Sequence, residues 1–174
     1  MTLARSIALA ALAAAGAAHA EVADKGANGF RLKYVAQVAA PPARVYQAIG
    51  EIGRWWSDDH TYSGKAANFT LPLQANACLC EALPGGGGVR HGVVEAVVPN
   101  QLVRLEAALG PLQDEGVATA WAFALKPKDG GTELTVTYNV GGLRPEMAAA
   151  APGVDGVLGE QVARFKRYVE TGKP

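Results

Sequence analysis

Four side chains able to carry chemistry stand together in the middle of the chain: Cys78 and Cys80, its only cysteines, Glu81 directly after them, and His91. Thiolate, carboxylate and imidazole are the groups that ligate soft metals, exchange disulfides and move protons near neutral pH. Alternate residues of a regular strand stand about 6.6 Å apart with parallel Cβ vectors. A disulfide needs a Cβ separation of about 3.5–4.5 Å. A Cys78–Cys80 bridge therefore requires a bulge or a sharp local turn. Buried reduced thiols, such a bridge, and metal ligation are the three states open to the pair. The expectation carried forward is two reduced, poorly accessible thiols without bound metal.

A second group is the segment Trp55-Trp56-Ser57-Asp58-Asp59-His60-Thr61-Tyr62, dense in aromatic and acidic residues around one histidine. In one reading it rims a cavity mouth, with Trp56 and Tyr62 gripping a ligand and His60 supplying a polar handle. In the other, Trp56 is core, Asp58-Asp59 is a solvated turn and His60 is merely adjacent. Because its pKa lies near neutrality, histidine suits acid–base work. His60 and His91 are thus the candidates for a cyclase, dehydratase or hydrolase kind of chemistry, beside Asp59 or Glu81. No nucleophile-elbow motif accompanies them. The run Gly85 to Gly88 leads through Val89-Arg90 into another strand, not into a helix opened by Lys and Ser or Thr. It reads as a flexible hairpin, not a phosphate loop.

The elements that must position these residues follow from periodicity. Phe30, Leu32, Tyr34, Ala36 and Val38 alternate and stop at Pro41-Pro42, which ends a strand and starts a helix. Val45, Ile49, Ile52 and Trp56 recur at helical spacing, interrupted by Gly50 and Gly53, so two short helices are expected. From Asn68 the period changes to two, with strands expected near 68–74, 77–83, 89–98, 102–108, 116–126 and 131–140. Their separators are turn chemistry: Pro84 with the glycines, Pro99-Asn100, Gly110-Pro111 and Asp129-Gly130-Gly131. Trp121, Phe123 and Leu125 share a face opposed by small alanines, and Leu134, Val136, Tyr138 and Val140 alternate with polar residues, as half-buried antiparallel strands do. Val154, Leu158, Val162, Phe165 and Val169 mark the apolar face of a long terminal helix.

Strand register decides which of the chemical residues meet. A two-residue turn at Pro99-Asn100 would place Glu95 opposite Arg104, Val94 opposite Leu105 and Val93 opposite Glu106. His91 would then lie on the exposed face with Glu95, Arg104 and Glu106. Pairing Leu83 with Val89 puts both cysteines on the apolar face and leaves Glu81 and His91 outside. A slip of one residue gathers Cys78, Cys80, His91 and Glu95 into a set suited to a soft metal. Cysteine's preference for burial favours the first register.

Composition bounds the rest. The chain has 174 residues, 49% hydrophobic and 18% charged, which suits one domain with a sizeable core and is too apolar for disorder. A formal net charge of zero without a basic run argues against nucleic acid or an anionic membrane as the main partner. Met1 to Ala20 carries a single cation, Arg5, then a small-apolar run ending in Ala18-His19-Ala20. This reads as a secretory signal cleaved after Ala20, leaving a soluble periplasmic chain, residues 21–174, with no membrane attachment.

The order of one strand, two short helices, six strands and a long helix resembles the START-like, or SRPBCC, superfamily. The resemblance is carried by Pro41-Pro42-Ala43-Arg44-Val45-Tyr46, Arg54-Trp55-Trp56, Val97-Val98-Pro99-Asn100-Gln101-Leu102-Val103 and Gly131-Thr132-Glu133-Leu134, and it covers about residues 29–171. The branch most resembled holds polyketide cyclase or dehydrase-like proteins and homologues of heat-shock-chaperone ATPase activators. It implies an α+β helix-grip fold: a seven-stranded antiparallel sheet wrapped around a long C-terminal helix, with a cavity between them for a small apolar or amphipathic molecule. Cavity-side residues are then expected to be Trp56, Phe69, Leu71, Cys80, Leu105, Trp121, Phe123 and Tyr138, with His60 and Tyr62 at the mouth. No cofactor is expected. An exported chain makes a cytosolic chaperone an unsuitable partner, although a protein-interaction role of the activator kind remains the third reading.

Overall fold

A computed structural model describes residues 19–174. The expected signal, Met1 to Ala20, lies outside the described residues except for its last two, which open the first strand. Eight strands form one antiparallel sheet: β1 His19–Gly26, β2 Gly29–Val38, β3 Phe69–Thr70, β4 Cys78–Ala82, β5 Gly88–Val98, β6 Leu102–Glu106, β7 Ala118–Lys128 and β8 Gly131–Gly141. Their spatial order is β1-β2-β8-β7-β6-β5-β4-β3. Two helices complete the fold, α1 Pro42–Gly50 and α2 Ala151–Thr171, with short 3₁₀ turns between elements. The long C-terminal helix gripped by an antiparallel sheet is the arrangement expected. The strand count is eight instead of seven, because β1 occupies His19-Ala20-Glu21-Val22-Ala23-Asp24-Lys25-Gly26, where the alternation ends after Val22 and the pairing with β2 shifts register between Val22 and Asp24.

Local chemistry explains the elements. β2 alternates strictly, with Phe30, Leu32, Tyr34, Ala36 and Val38 buried and their neighbours exposed or half-exposed. α1 starts on Pro42, preceded by an extended Pro41, because proline's missing N–H costs nothing at a first helical turn. It buries Val45, Ala48 and Ile49, then breaks into the 3₁₀ turn Ile52–Arg54. The β7–β8 hairpin turns at Asp129-Gly130, both with positive φ, the backbone twist that a two-residue antiparallel connection prefers.

Between sheet and helix lies a packed core. α2 contributes Leu158, Gln161, Val162, Phe165, Tyr168 and Val169 to it, while the sheet contributes Val94, Val103, Leu105, Trp121, Phe123, Val136 and Tyr138. Each large apolar side chain so buried stabilises the fold by roughly 1.5–3 kcal/mol. Among the described residues no helix is long and apolar enough to cross a membrane.

Two irregularities interrupt the pairing of β5. β4 pairs with β5 as Cys78 with Val93 and Leu79 with Gly92, then Cys80 with Arg90, so His91 is an extra residue on β5. The β5–β6 pairing keeps Val94 with Leu105 and Val93 with Glu106, as expected, but then jumps to Ala96 with Arg104, leaving Glu95 as a second extra residue. The turn there spans Pro99-Asn100-Gln101, not two residues, with Val98 opposite Leu102. The side chains of Arg104 and Glu95 still meet, at 3.0 Å, since the bulge leaves them adjacent.

Candidate functional site

Bulging of β5 at His91 reverses the face on which this residue was expected. The ring turns inward and is only 5% exposed. On β4, Leu79 and Glu81 point inward, each 1% exposed, while both cysteines point to the other face and are half-buried. The sequence register placed Glu81 and His91 outside and the cysteines inside; the structure inverts both. Gly92 makes the bulge possible, because it passes closer to β6 than any residue with a Cβ could.

The inward turn brings Glu81 and His91 together. His91 Nε2 lies 2.9 Å from Glu81 Oε2. The same carboxylate accepts the backbone N–H of Tyr62 at 3.2 Å and of Ser63 at 2.5 Å, so the loop after the second tryptophan is tied to β4. Burial would raise the Glu81 carboxyl, but hydrogen bonds from Ser63, Tyr62 and His91 outweigh it and hold the group below its ordinary value. At His91, burial pushes the imidazole below its ordinary value, against the opposing pull of Glu81. Near neutral pH the pair is therefore carboxylate and neutral imidazole.

That charge state fixes the tautomer. An ionised carboxylate only accepts hydrogen bonds, so Nε2 carries the proton and donates it to Glu81. Nδ1 keeps its lone pair and has no protein partner among the described residues. Aromatic rings flank the imidazole: Phe69 with centroids 4.8 Å apart and Tyr62 with centroids 5.7 Å apart. Tyr62, exposed at its outer edge, donates its hydroxyl to Gln113 Oε1 at 2.9 Å, and Gln113 Nε2 in turn donates to the Arg90 carbonyl at 3.2 Å. These contacts edge an open cleft of about 460 Å³ lined by residues 88–93 of β5 with Glu106, Ala108 and Gln113. Val89, Val93 and Ala108 supply apolar surface, and Arg90, Glu106 and Gln113 a polar rim.

The expected interior cavity is filled instead. Between sheet and α2 the space lined by Trp55, Trp121, Phe123, Val136, Leu158, Gln161, Val162 and Phe165 amounts to about 10 Å³, room for at most one water molecule. The cause is aromatic packing: Trp56 sits edge-on to both Phe69 and Trp121, Trp121 tilts against Phe123, and Trp55 closes on Phe165 at 5.0 Å. Trp56, Phe69, Leu71, Leu105, Trp121, Phe123 and Tyr138, all assigned to a ligand cavity from the sequence, are buried core residues. The core reading of Trp56 is the one the structure takes. Its indole N–H donates to the His60 carbonyl at 2.8 Å, and the His60 ring stands half-exposed, 3.6 Å from Glu160.

Cys80 does not line a cavity either. It is bridged to Cys78, with the two Cα atoms 5.3 Å apart, so the expectation of reduced thiols is corrected. The extra residue opposite, at His91, is the local irregularity that such a bridge requires. With both sulfurs joined to each other, the alternative cysteine–histidine metal set does not form. Sequence reasoning missed Ser63 and Gln113 altogether; Ser63 acts through its backbone amide, which leaves no trace in residue type. His91 and Glu81 were named as a candidate pair, but the bulge that unites them had one available signal, Gly92 in the middle of a strand.

No protein-family model and no curated protein matches the chain. Solved structures do. A protein from Mesorhizobium loti is 16% identical, with 83% of this chain and 99% of that chain covered and a TM-score of 0.59. The Aha1 dimer from Colwellia psychrerythraea is 18% identical, covering 83% and 98%, with a TM-score of 0.55. A conserved protein of unknown function from Enterococcus faecalis is 10% identical, covering 90% and 79%, with a TM-score of 0.58. At such identities the likeness is one of fold.

Proposed function

We propose that this chain is an exported START-like binding protein whose ligand, a small amphipathic molecule, sits in the cleft over His91 and not between sheet and helix. One observation carries the reading: His91, its ring held by the buried Glu81 carboxylate, is among the residues lining a cleft large enough for a small molecule. The ligand's apolar side would lie on Val89, Val93 and Ala108. A hydroxyl or amide N–H on it would donate to Nδ1, and the rim of Arg90, Glu106 and Gln113 would take its polar end. The run from Met1 to Ala20 supports export, and the helix-grip order supports the superfamily.

The same carboxylate–imidazole pair favours a second reading, in which His91 accepts a proton from bound substrate and Glu81 stabilises the imidazolium that results. Two measurements test the proposal. Native mass spectrometry of protein from a periplasmic fraction should show a chain beginning at Glu21 that carries a small molecule, and His91→Ala should lose that molecule while remaining folded. Retention of the ligand by His91→Ala, or a bound molecule located between sheet and α2, overturns the cleft. Chemical change of the released molecule on incubation with wild type, absent with His91→Ala, selects the catalytic reading.

A further inference from the structure

The bridge and the bulge occupy opposite sides of the same step in the sheet. Two residues of extended strand span about 6.6 Å, and Cys78 to Cys80 spans 5.3 Å. β4 is thus shortened at the step where β5 carries the extra residue His91. A short strand beside a long one bends the pair with β4 on the inside of the curve, so the bridge and the bulge produce the same bend. Closing a ring across one intervening residue removes little chain entropy from the unfolded state, so the bridge is poorly explained as a general stabiliser. It also lies outside the core. Both cysteines are half-buried on the face away from the core, and β3 pairs with β4 only at Cys80 and Glu81, leaving Cys78 beyond that pairing.

We propose that the Cys78–Cys80 bridge is a site of exchange with dithiols, and that its redox state positions His91. The thiolate of a small dithiol or of a dithiol protein attacks one sulfur and breaks the Cys78–Cys80 bond, giving a mixed disulfide and one free cysteine thiol. The second thiol of the reagent then displaces the other cysteine. Two electrons and two protons end on Cys78 and Cys80, and the reagent leaves as its own disulfide. With the ring open, β4 regains its full pleat and the extra residue on β5 loses the short partner that accommodates it. A return to regular pairing moves His91 by one position of strand parity, to the outer face and away from Glu81. Bridged protein presents the oriented imidazole; reduced protein does not. This coupling does not require that the cleft bind a ligand.

The test uses the full folded chain and dithiothreitol as the dithiol. Nitrogen-15 spectra of the His91 ring should show one tautomer with a slowly exchanging Nε2–H before reduction. After reduction, verified by a mass gain of two hydrogens and by alkylation of both thiols without denaturant, the ring should show averaged tautomers and an Nε2–H exchanging several-fold faster. Reoxidation should restore the first spectrum. The Cys78→Ser/Cys80→Ser double variant should match the reduced form, and if it does not fold, the reversible cycle on wild type carries the result. Full reduction with unchanged His91 signals overturns the coupling, and a bridge that yields to dithiothreitol only in denaturant overturns the exchange site.

Discussion

Gly92 of β5 and Ala107, the residue just after β6, face each other so closely that a Cβ built on Gly92 would stand 2.5 Å from the Ala107 Cβ and 2.5 Å from the Glu106 carbonyl oxygen. Neither obstacle is the end of a flexible side chain, so the strands themselves would have to part. Gly92→Ala should cost about 1–3 kcal/mol, the usual range for overpacking, read as a lower urea midpoint. Because Gly92 adjoins the bulge, the slow exchange of the His91 Nε2–H should be lost in the same variant. An unchanged midpoint would show that β5 yields freely at this point.

Acid should weaken the fold in two stages. Burial depresses the His91 imidazole below the ordinary value of 6.5. Burial acts the other way on the Glu81 carboxyl, but hydrogen bonds from Ser63, Tyr62 and His91 prevail and depress it below 4.5. For both groups the unfolded chain takes up the proton first as pH falls, so stability is full above these ordinary values and is lost on going down through the folded-state values. Urea midpoints should therefore begin to fall as pH drops below about 6.5, the first range, and fall further below about 4.5. His91→Asn should abolish the first stage and keep part of the second. A wild-type midpoint that holds steady across the first range contradicts the buried neutral imidazole.

Tyr62 lies against the His91 ring, and its hydroxyl reaches Gln113 in a solvent-exposed hydrogen bond. Tyr62→Phe should change stability by no more than about 0.5 kcal/mol, as exposed substitutions do. It should nonetheless release the Gln113 side of the cleft and speed carbethoxylation of His91 by diethyl pyrocarbonate, followed by peptide mass spectrometry. Equal rates in the two proteins would mean that Tyr62 does not guard the ring.

Leu158, 2% exposed, borders the small space between sheet and α2. Leu158→Ala should cost about 2–5 kcal/mol and leave a cavity able to take a small apolar probe such as benzene. A cost below about 1 kcal/mol would show that the helix collapses readily onto the sheet, and that the interior is less rigidly packed than its aromatic contacts imply.

What could be read from the sequence was whatever depends on near neighbours. The alternation of Trp121, Phe123 and Leu125 against alanines, and of Leu134, Val136 and Tyr138 against polar residues, needs only a two-residue period, and these strands pair directly, Trp121 opposite Tyr138. The α2 face from Leu158 to Val169 needs only a helical period. The site depends on something else. A bulge adds one residue and reverses the facing of every position beyond it, so the extra residue at His91 exchanged the places of the cysteines and Glu81. Which residue bulges also depends on contacts that no local period records, among them the approach of Gly92 to Ala107 and the burial of Glu81 under the amides of Tyr62 and Ser63. The filled interior was hidden for a related reason: large inward aromatics are equally compatible with lining a cavity and with filling it, and only their mutual geometry distinguishes the two.

The placement of β2 beside β8 has a consequence for how the molecule comes into being. Phe30 pairs with Val140 and Leu32 with Tyr138, so the first strands of the sheet find their neighbour only near the far end of the chain. Closing so large a loop is entropically slow. During synthesis the leading hairpin must wait, without its partner, until nearly all of the polypeptide has emerged. A chain built this way cannot complete its sheet before β8 has been made.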